Sequence, residues 1–316
     1  MERENSKWII FGAGFAGKAA FSVLNGEVEF FIDNDKSKQN CKTEAPIIPL
    51  EEAKQRIHGK PVLLGTVDLK VELEMRDMLS DSGATQILSF SELSHISQYG
   101  EYDYSDILDA IWTDGTADEY IYHIRQWNDF TAKALVKPID ELCKKYQISG
   151  HKMIDIACGY GFWSLFFAQR HVDVLGIDND ANRLTVFRRT AKKYPHMTAV
   201  NADIRHIDMV PDCTYDVAFC ANTIHVVPDW RKIISEMNRV TRKNGLIILV
   251  MNHPDNLYIK DQYKNIPVMQ WDATQENIIE VIEPDSKLLE IVDISSDKGR
   301  EFSQMPTHSI LIFSKQ

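Results

Sequence analysis

His151–Asp178 reads HKMIDIACGYGFWSLFFAQRHVDVLGID, and its order of apolar and small residues decides the fold. Met153 to Ala157 is an apolar run short enough for a buried strand. Cys158-Gly159-Tyr160-Gly161 follows as a glycine-rich turn, and a helix-like apolar pattern runs from Trp163 to Gln169. A second apolar run, Val172 to Ile177, ends in the carboxylate of Asp178. Strand, tight loop, helix, strand and acid, in that order, make the nucleotide-binding half of a doubly wound sheet. Glycine lets the backbone approach a ligand where a Cβ would collide. An acid at the tip of the second strand is placed to accept hydrogen bonds from a ribose diol.

The loop's spelling narrows the ligand. A pyrophosphate held at a helix N-terminus has no use for a carboxylate at the turn, yet Asp155 stands near the strand's end in Asp155-Ile156-Ala157-Cys158-Gly159-Tyr160-Gly161. This stretch resembles motif I of the class I S-adenosylmethionine-dependent methyltransferases, written D-x-G/A-C-G-x-G. The resemblance implies a ligand with an ammonium and a sulfonium, which a negative group near the loop would attract. It implies a cofactor site for S-adenosyl-L-methionine built from Asp155, Ala157, Gly159, Tyr160, Gly161, Asp178 and Asn179. Packing alone is the competing explanation of the glycines.

The resemblance extends over about Lys152 to Phe313. Met197 to Val200 reads as a strand closed by Asn201-Ala202-Asp203-Ile204. In the family, an acid here accepts the adenine amino group while the next backbone amide meets a ring nitrogen, which matches Asp203 and Ile204. Thr214 to Asn222 reads as the next strand, and Asn222 joins the implied cofactor residues. The run Asn222-Thr223-Ile224-His225-Val226-Val227-Pro228-Asp229 resembles N-x-L-x-H-V-P-D, with a departure: Val226 holds the histidine position and His225 stands one place earlier. The spacing predicts a helix over Arg231 to Val240, a break at Lys243-Asn244-Gly245, and an apolar strand from Leu246 to Val250. Lys287 to Ser295 and His308 to Phe313 read as a closing antiparallel pair that includes the family's reversed seventh strand. Asn182 to Lys193 is expected as a helix with a solvated basic face.

Methyl transfer from a sulfonium needs a base only if the acceptor is a hydroxyl or an acidic carbon, and histidine is the usual choice. His225 and His253 lie at strand carboxyl ends, where open α/β sheets bind ligands, and are the candidate catalytic residues. His206 and His308 are weaker candidates, and a hydrogen-bonded structural role is the alternative for each. Asp255 to Trp271, with Tyr258, Tyr263 and Trp271, is expected to bind the acceptor.

The N-terminal part repeats the pattern. Trp8 to Phe11 is apolar, Gly12-Ala13-Gly14-Phe15-Ala16-Gly17 follows, and Lys18 to Leu24 is helical. Val28 to Ile32 then ends at Asp33. This is G-x-G-x-x-G between a strand and a helix, with an acid about twenty residues on. Strands at Pro61 to Leu64 and Thr85 to Leu88, and helices from Leu50 and from Asp68 to Ser80, complete a small α/β domain over 1–98. It resembles the nucleotide-sugar-binding domain of bacterial sugar acyltransferases and of some polysaccharide-modifying methyltransferases. The matching residues are the glycine loop, Phe31 to Asp35 with Lys38, Pro46-Ile47-Ile48-Pro49, and Leu64-Gly65. Thr66-Val67-Asp68-Leu69-Lys70 departs from that family's polar Asn-x-x-Arg element. The resemblance implies a nucleotide ligand on Gly12, Gly14, Gly17 and Asp33; a purely structural domain is the alternative. Residues 99–149 read as a helical connector, with a helix over 117–136 and a second opened by Pro138. The methyltransferase resemblance makes Tyr122, His123, Trp127 and Asn128 candidates for folding over the cofactor, and helix packing is the equal alternative for the aromatics.

With 316 residues the chain is long enough for two domains. A net charge of −11 opposes a nucleic-acid surface. No apolar run approaches the ~18 residues of a membrane span, and the charged N-terminus argues against a signal peptide. Five scattered cysteines without a C-x-x-C pair suggest reduced thiols in a cytoplasmic protein and no metal site. The expectation is therefore α/β: two doubly wound Rossmann-like domains, 1–98 and 150–316, joined by the connector, the second a seven-stranded methyltransferase sheet. The expected activity is methyl transfer to a small-molecule acceptor, with a sugar or sugar nucleotide of surface polysaccharide biosynthesis as the candidate. A bifunctional protein with an NAD-type N-terminal module and a non-catalytic regulatory protein binding the same ligands are the alternatives. Acceptor atom and oligomeric state are not legible in the sequence.

Overall fold

The computed structural model describes residues 7–24, 27–41, 43–96, 98–99, 101–127, 133–253, 269–270, 272–295 and 306–316. The chain forms two units, Met1–Lys133 and Ala134–Gln316. Residues 99–133 of the expected connector thus fall in the first unit and 134–149 in the second.

The N-terminal apolar runs pair as a parallel sheet. Its strands are β1 (Trp8–Phe11), β2 (Val28–Ile32), β3 (Ile47–Ile48), β4 (Pro61–Leu64) and β5 (Gln86–Leu88), in the order β3-β2-β1-β4-β5. Helices α1 (Phe15–Val23), α2 (Lys36–Gln39), α3 (Leu50–Ile57) and α4 (Leu69–Met78) connect them. The glycine loop between β1 and α1 is packed on itself. A Cβ at Gly17 would stand 1.8 Å from the carbonyl oxygen of Gly12, whose own φ is +107°. Gly14, the residue before α1, faces open space. Asp33, at the tip of β2, accepts hydrogen bonds from the Ala13 amide at 2.9 Å, the Asp35 amide at 3.0 Å and Lys38 Nζ at 2.9 Å. Burial raises its pKa, but these three donors outweigh that and hold it below the usual carboxylate range. Two short antiparallel strands, β6 (Gln98–Tyr99) and β7 (Tyr102–Asp103), precede α5 (Ser105–Asp114) and α6 (Ala117–Gln126).

Trp127, a candidate either for folding over the cofactor or for helix packing, is part of the first unit's core. Its ring meets those of Tyr102 and Tyr104 edge to face, each at 6.0 Å. Tyr122 is exposed and lies edge-on to His123. Asn128, and Tyr258, Tyr263 and Trp271 of the expected acceptor segment, lie outside the described residues.

The second unit opens with α7 (Lys133–Lys145), which contains Pro138 instead of starting at it. A proline inside a helix costs about 3 kcal/mol. Leu135, Val136, Ile139 and Leu142, all buried on one stripe, outweigh that at roughly 1.5–3 kcal/mol each. The sheet that follows has strands β8 (Lys152–Ile156), β9 (Asp173–Asp178), β10 (Met197–Asn201), β11 (Tyr215–Ala221), β12 (Thr241–Asn252), β13 (Ser286–Ser295) and β14 (Pro306–Lys315). Their order is β10-β9-β8-β11-β12-β14-β13. Every neighbouring pair is parallel except those made by β14, which runs antiparallel to both β12 and β13. Helices α8 (Phe162–Ala168), α9 (Ala181–Ala191), α10 (Trp230–Val240) and α11 (Gln275–Ile282) complete it.

Continuous apolar runs suit central parallel strands because both faces are covered. Ile154, Ile156, Ala218, Cys220, Ile247 and Leu249 enter one core with Trp230, Ile233, Met237 and Val240, the apolar stripe of α10. One boundary differs from expectation. The Lys243-Asn244-Gly245 break lies within the span of β12, because Thr241 already pairs with Tyr215 before the register slips and resumes at Val217–Leu246. Asn244, at φ 60°, absorbs the slip.

Candidate cofactor site

The chain lays β8, β9 and β10 outward in one direction, then returns to place β11 on the other side of β8. Ligands of open α/β sheets bind at the strand carboxyl ends beside such a reversal. A cavity of about 410 Å³ opens there, lined by Ala157 after β8, Asp178 and Asn179 after β9, Asp203, Ile204 and Arg205 after β10, and Asn222 and Thr223 after β11. Arg183 from α9 and Val226, Val227 and Pro228 close the wall.

Loop backbone and acid fix each other. Asp178 Oδ2 accepts from the Gly159 amide at 2.9 Å, and Oδ1 from the Asp180 amide at 2.9 Å. Ala157, Gly159 and Gly161 all take positive φ, 63°, 54° and 92°. At Gly161 a Cβ would also strike the Phe187 ring at 2.6 Å. Gly159 therefore acts through its amide, and Gly161 by letting the chain turn into α8. Tyr160 lies beneath Arg183, whose guanidinium is 5.7 Å from the ring centroid.

Two of the three expected acids behave differently from the sequence reading. Asp155 does not line the cavity: it is 2% exposed and accepts a 2.5 Å hydrogen bond from Ser164 Oγ beneath the loop. Burial pushes its carboxyl up to about 7; the Ser164 hydroxyl opposes the rise and the charge of Asp178 adds to it. Asp203 does line the cavity, but Arg205 already grips it, with Nε at 3.0 Å from Oδ1 and Nη2 at 2.7 Å from Oδ2. That guanidinium, with the Arg205 amide, lowers the Asp203 carboxyl to about 2. Asp178 makes no ion pair among the described residues, so it is the lining acid whose charge is left for a ligand. Arg183, expected on a solvated basic face, and Arg205, which the sequence reading did not single out, both join the lining. The only available signal for Arg205 was its position two residues after Asp203.

Asp155 carries a pH prediction. Between the ordinary carboxylate pKa of ~4 and about 7, the folded state holds a proton that the unfolded chain has lost. Stability therefore falls as pH rises through that window and levels off above it. Thermal melts of wild type should be lower near pH 8 than near pH 5, and Asp155→Asn, which cannot ionise, should narrow that gap. An undiminished gap in the variant would refute the assignment.

Asn222 Oδ1 is buried with no hydrogen-bond partner among the described residues, and its backbone sits at φ 54°. His225, in the short 3₁₀ turn Ile224–Val226, is half-buried and is not among the residues lining the cavity. Its Nε2 is 2.8 Å from Asn252 Nδ2, and its Nδ1 is buried without a partner among the described residues. His253 is also off the wall; its amide donates to the Thr307 carbonyl and its Nε2 lies 3.7 Å from Asp293 Oδ1. Among the described residues no group of acids, histidines and cysteines could hold a metal, and no helix is long and apolar enough to cross a membrane.

Fold and cavity together define an open α/β sheet domain with a cavity at its reversal and an acid at the tip of its second strand. Residues 154–249 match the family described as a methyltransferase domain. A demethylmenaquinone methyltransferase of Lysinibacillus sphaericus is 26% identical over 129 residues, 40% of this chain and 50% of that protein. A demethylmenaquinone methyltransferase of Staphylococcus saprophyticus is 31% identical over 120 residues, 37% of this chain and 51% of that protein. The chain thus spans about half the length of the curated relatives it matches. Among solved structures, an S-adenosylmethionine-dependent methyltransferase from Mesorhizobium loti is similar with a TM-score of 0.45 and 14% identity, covering 53% of this chain and 92% of that one.

Proposed function

We propose that the protein transfers a methyl group from S-adenosyl-L-methionine to a small-molecule acceptor. The observation that carries this is Asp178: a charged acid held by two loop amides in the cavity at the sheet's reversal. The residues suit the cofactor's chemistry. Asp178 has lone pairs for ribose hydroxyls, Ile204 offers an apolar wall, and Asn222 Oδ1 is a buried acceptor short of a donor such as an ammonium. When bound, S-adenosyl-L-methionine supplies the methyl, which the acceptor's lone pair takes as the carbon–sulfur bond breaks and its electrons stay on sulfur. The chain's part is to hold the two molecules in line, worth roughly 7–11 kcal/mol in well-oriented models. Titration calorimetry with S-adenosylhomocysteine should show saturable binding; the absence of heat would remove the cofactor and the activity together.

The finer reading is a sugar-nucleotide acceptor bound by the first unit. It is supported by the spelling of Gly12 to Gly17 and Asp33, whereas the loop's packing accounts for Gly12 and Gly17, and Lys38 occupies Asp33. Calorimetry with UDP-glucose is its test: binding heat supports it, and no heat for the full chain counts against it.

A further inference from the structure

His225 is fastened twice. Its ring nitrogen Nε2 meets Asn252, the last residue of the neighbouring strand β12, at 2.8 Å. Its carbonyl oxygen accepts from the Gln270 amide at 2.7 Å. The atom of Asn252 that faces the ring is the amide nitrogen Nδ2, which can only donate. Nε2 is then the acceptor, and a neutral ring must carry its proton on Nδ1. Among the described residues that Nδ1 is buried and without a partner, a condition folded proteins rarely leave unanswered. Thr223, two residues earlier, and Val226, the next residue, line the cavity, so the unmet donor sits in the turn that walls the site.

The surroundings keep the ring neutral. Burial brings His225 down to about 4. His308, 6% exposed and paired across the sheet with Asn252, is brought down to about 4 by burial and by His225.

We infer that Asn252 is a positioning residue that holds the His225 imidazole as its Nδ1–H tautomer, and that this N–H is offered to a carbonyl or anionic oxygen of the methyl acceptor. The second half rests on the methyltransferase reading; the first does not. In this role His225 donates a hydrogen bond and removes no proton. The acceptor class it selects bears an oxygen that gains negative charge or already carries it. The sequence reading offered His225 as a base, and the ring's pairing with Asn252 assigns it the opposite polarity.

The test begins on the full chain without ligand, labelled with ¹⁵N-histidine. Long-range proton–nitrogen correlations at neutral pH, with His225 assigned by its loss in His225→Gln, should show the Nδ1–H form. Asn252→Asp, whose carboxylate can only accept from Nε2, should switch it to the Nε2–H form. A wild-type ring already in the Nε2–H form, or a tautomer unmoved in Asn252→Asp, overturns the inference. Calorimetry with S-adenosylhomocysteine on the same samples reads the methyltransferase reading separately, and Asn252→Asp should bind within about twofold of wild type because Asn252 is off the cavity wall.

Transfer of tritium from labelled S-adenosyl-L-methionine into a small-molecule cell extract then tells donor from base. His225→Leu should lose about 100-fold, the usual cost of removing one donor to a developing charge. His225→Asn, which keeps an N–H near the Nδ1 position, should recover at least about tenfold of that loss. Equal losses in the two variants would overturn the donor role. No transfer by wild type would refute the acceptor half along with the methyltransferase reading, while the tautomer stands or falls on its spectra.

Discussion

Asp178→Ala should weaken S-adenosylhomocysteine binding by about 100-fold or more while the protein stays folded. Hydrogen bonds to a charged group are each worth about 1.5–3 kcal/mol, and the carboxylate has lone pairs free for a ribose diol beyond the two amides it accepts. The substitution also frees the Gly159 amide, so the loop loses the contact that sets its distance from β9. Asp178→Asn should fall between the two, since it keeps one acceptor oxygen and turns an NH₂ toward one of two donors. Calorimetry measures both, and circular dichroism confirms the fold. Asp178→Ala binding within twofold of wild type would show that the cavity does not hold the ligand in the way proposed.

Gly17→Ala is the second large effect, and it concerns stability. The new methyl would lie 1.8 Å from the Gly12 oxygen and 2.9 Å from its carbonyl carbon. Both are backbone, so no rotamer change relieves the clash, and β1 and α1 must separate. Overpacking costs typically 1–3 kcal/mol and more where nothing can yield, so a loss above ~3 kcal/mol is expected in urea melts. Gly14→Ala, one turn earlier and facing open space at φ −78°, should change stability by less than about 0.5 kcal/mol. The second unit's binding of S-adenosylhomocysteine should persist in Gly17→Ala under mild conditions. Equal melts for the two variants would show that the loop is looser than its geometry indicates.

The expected strands over Met153, Val172, Met197, Thr214 and Leu246 correspond to β8 to β12, with ends moved by a residue or two or, in β12, by a bulge. They were legible because a central parallel strand is a short apolar run bounded by small or polar residues, a purely local signal. Pro138 misled for a related reason. Its helix-breaking tendency is local, but the stripe of Leu135, Val136, Ile139 and Leu142 that overrides it gains stability only once packed. Trp127 gave the same aromatic signal whether it served a ligand or a core, and Tyr102 and Tyr104 settled it as core.

The amino-acid order by itself determined which strands exist, where the loops between them fall, and that acids stand at the tips of β9 and after β10. Each of these follows from neighbours in the chain. The tertiary structure decided what those side chains do. Asp155 turns under the loop to Ser164, Asp203 is claimed by Arg205, Asp178 holds two loop amides at the cavity with no ion pair among the described residues, and His225 faces Asn252 from the next strand. A side chain's charge and proton depend on burial and on partners brought across the sheet, and only the folded chain supplies both.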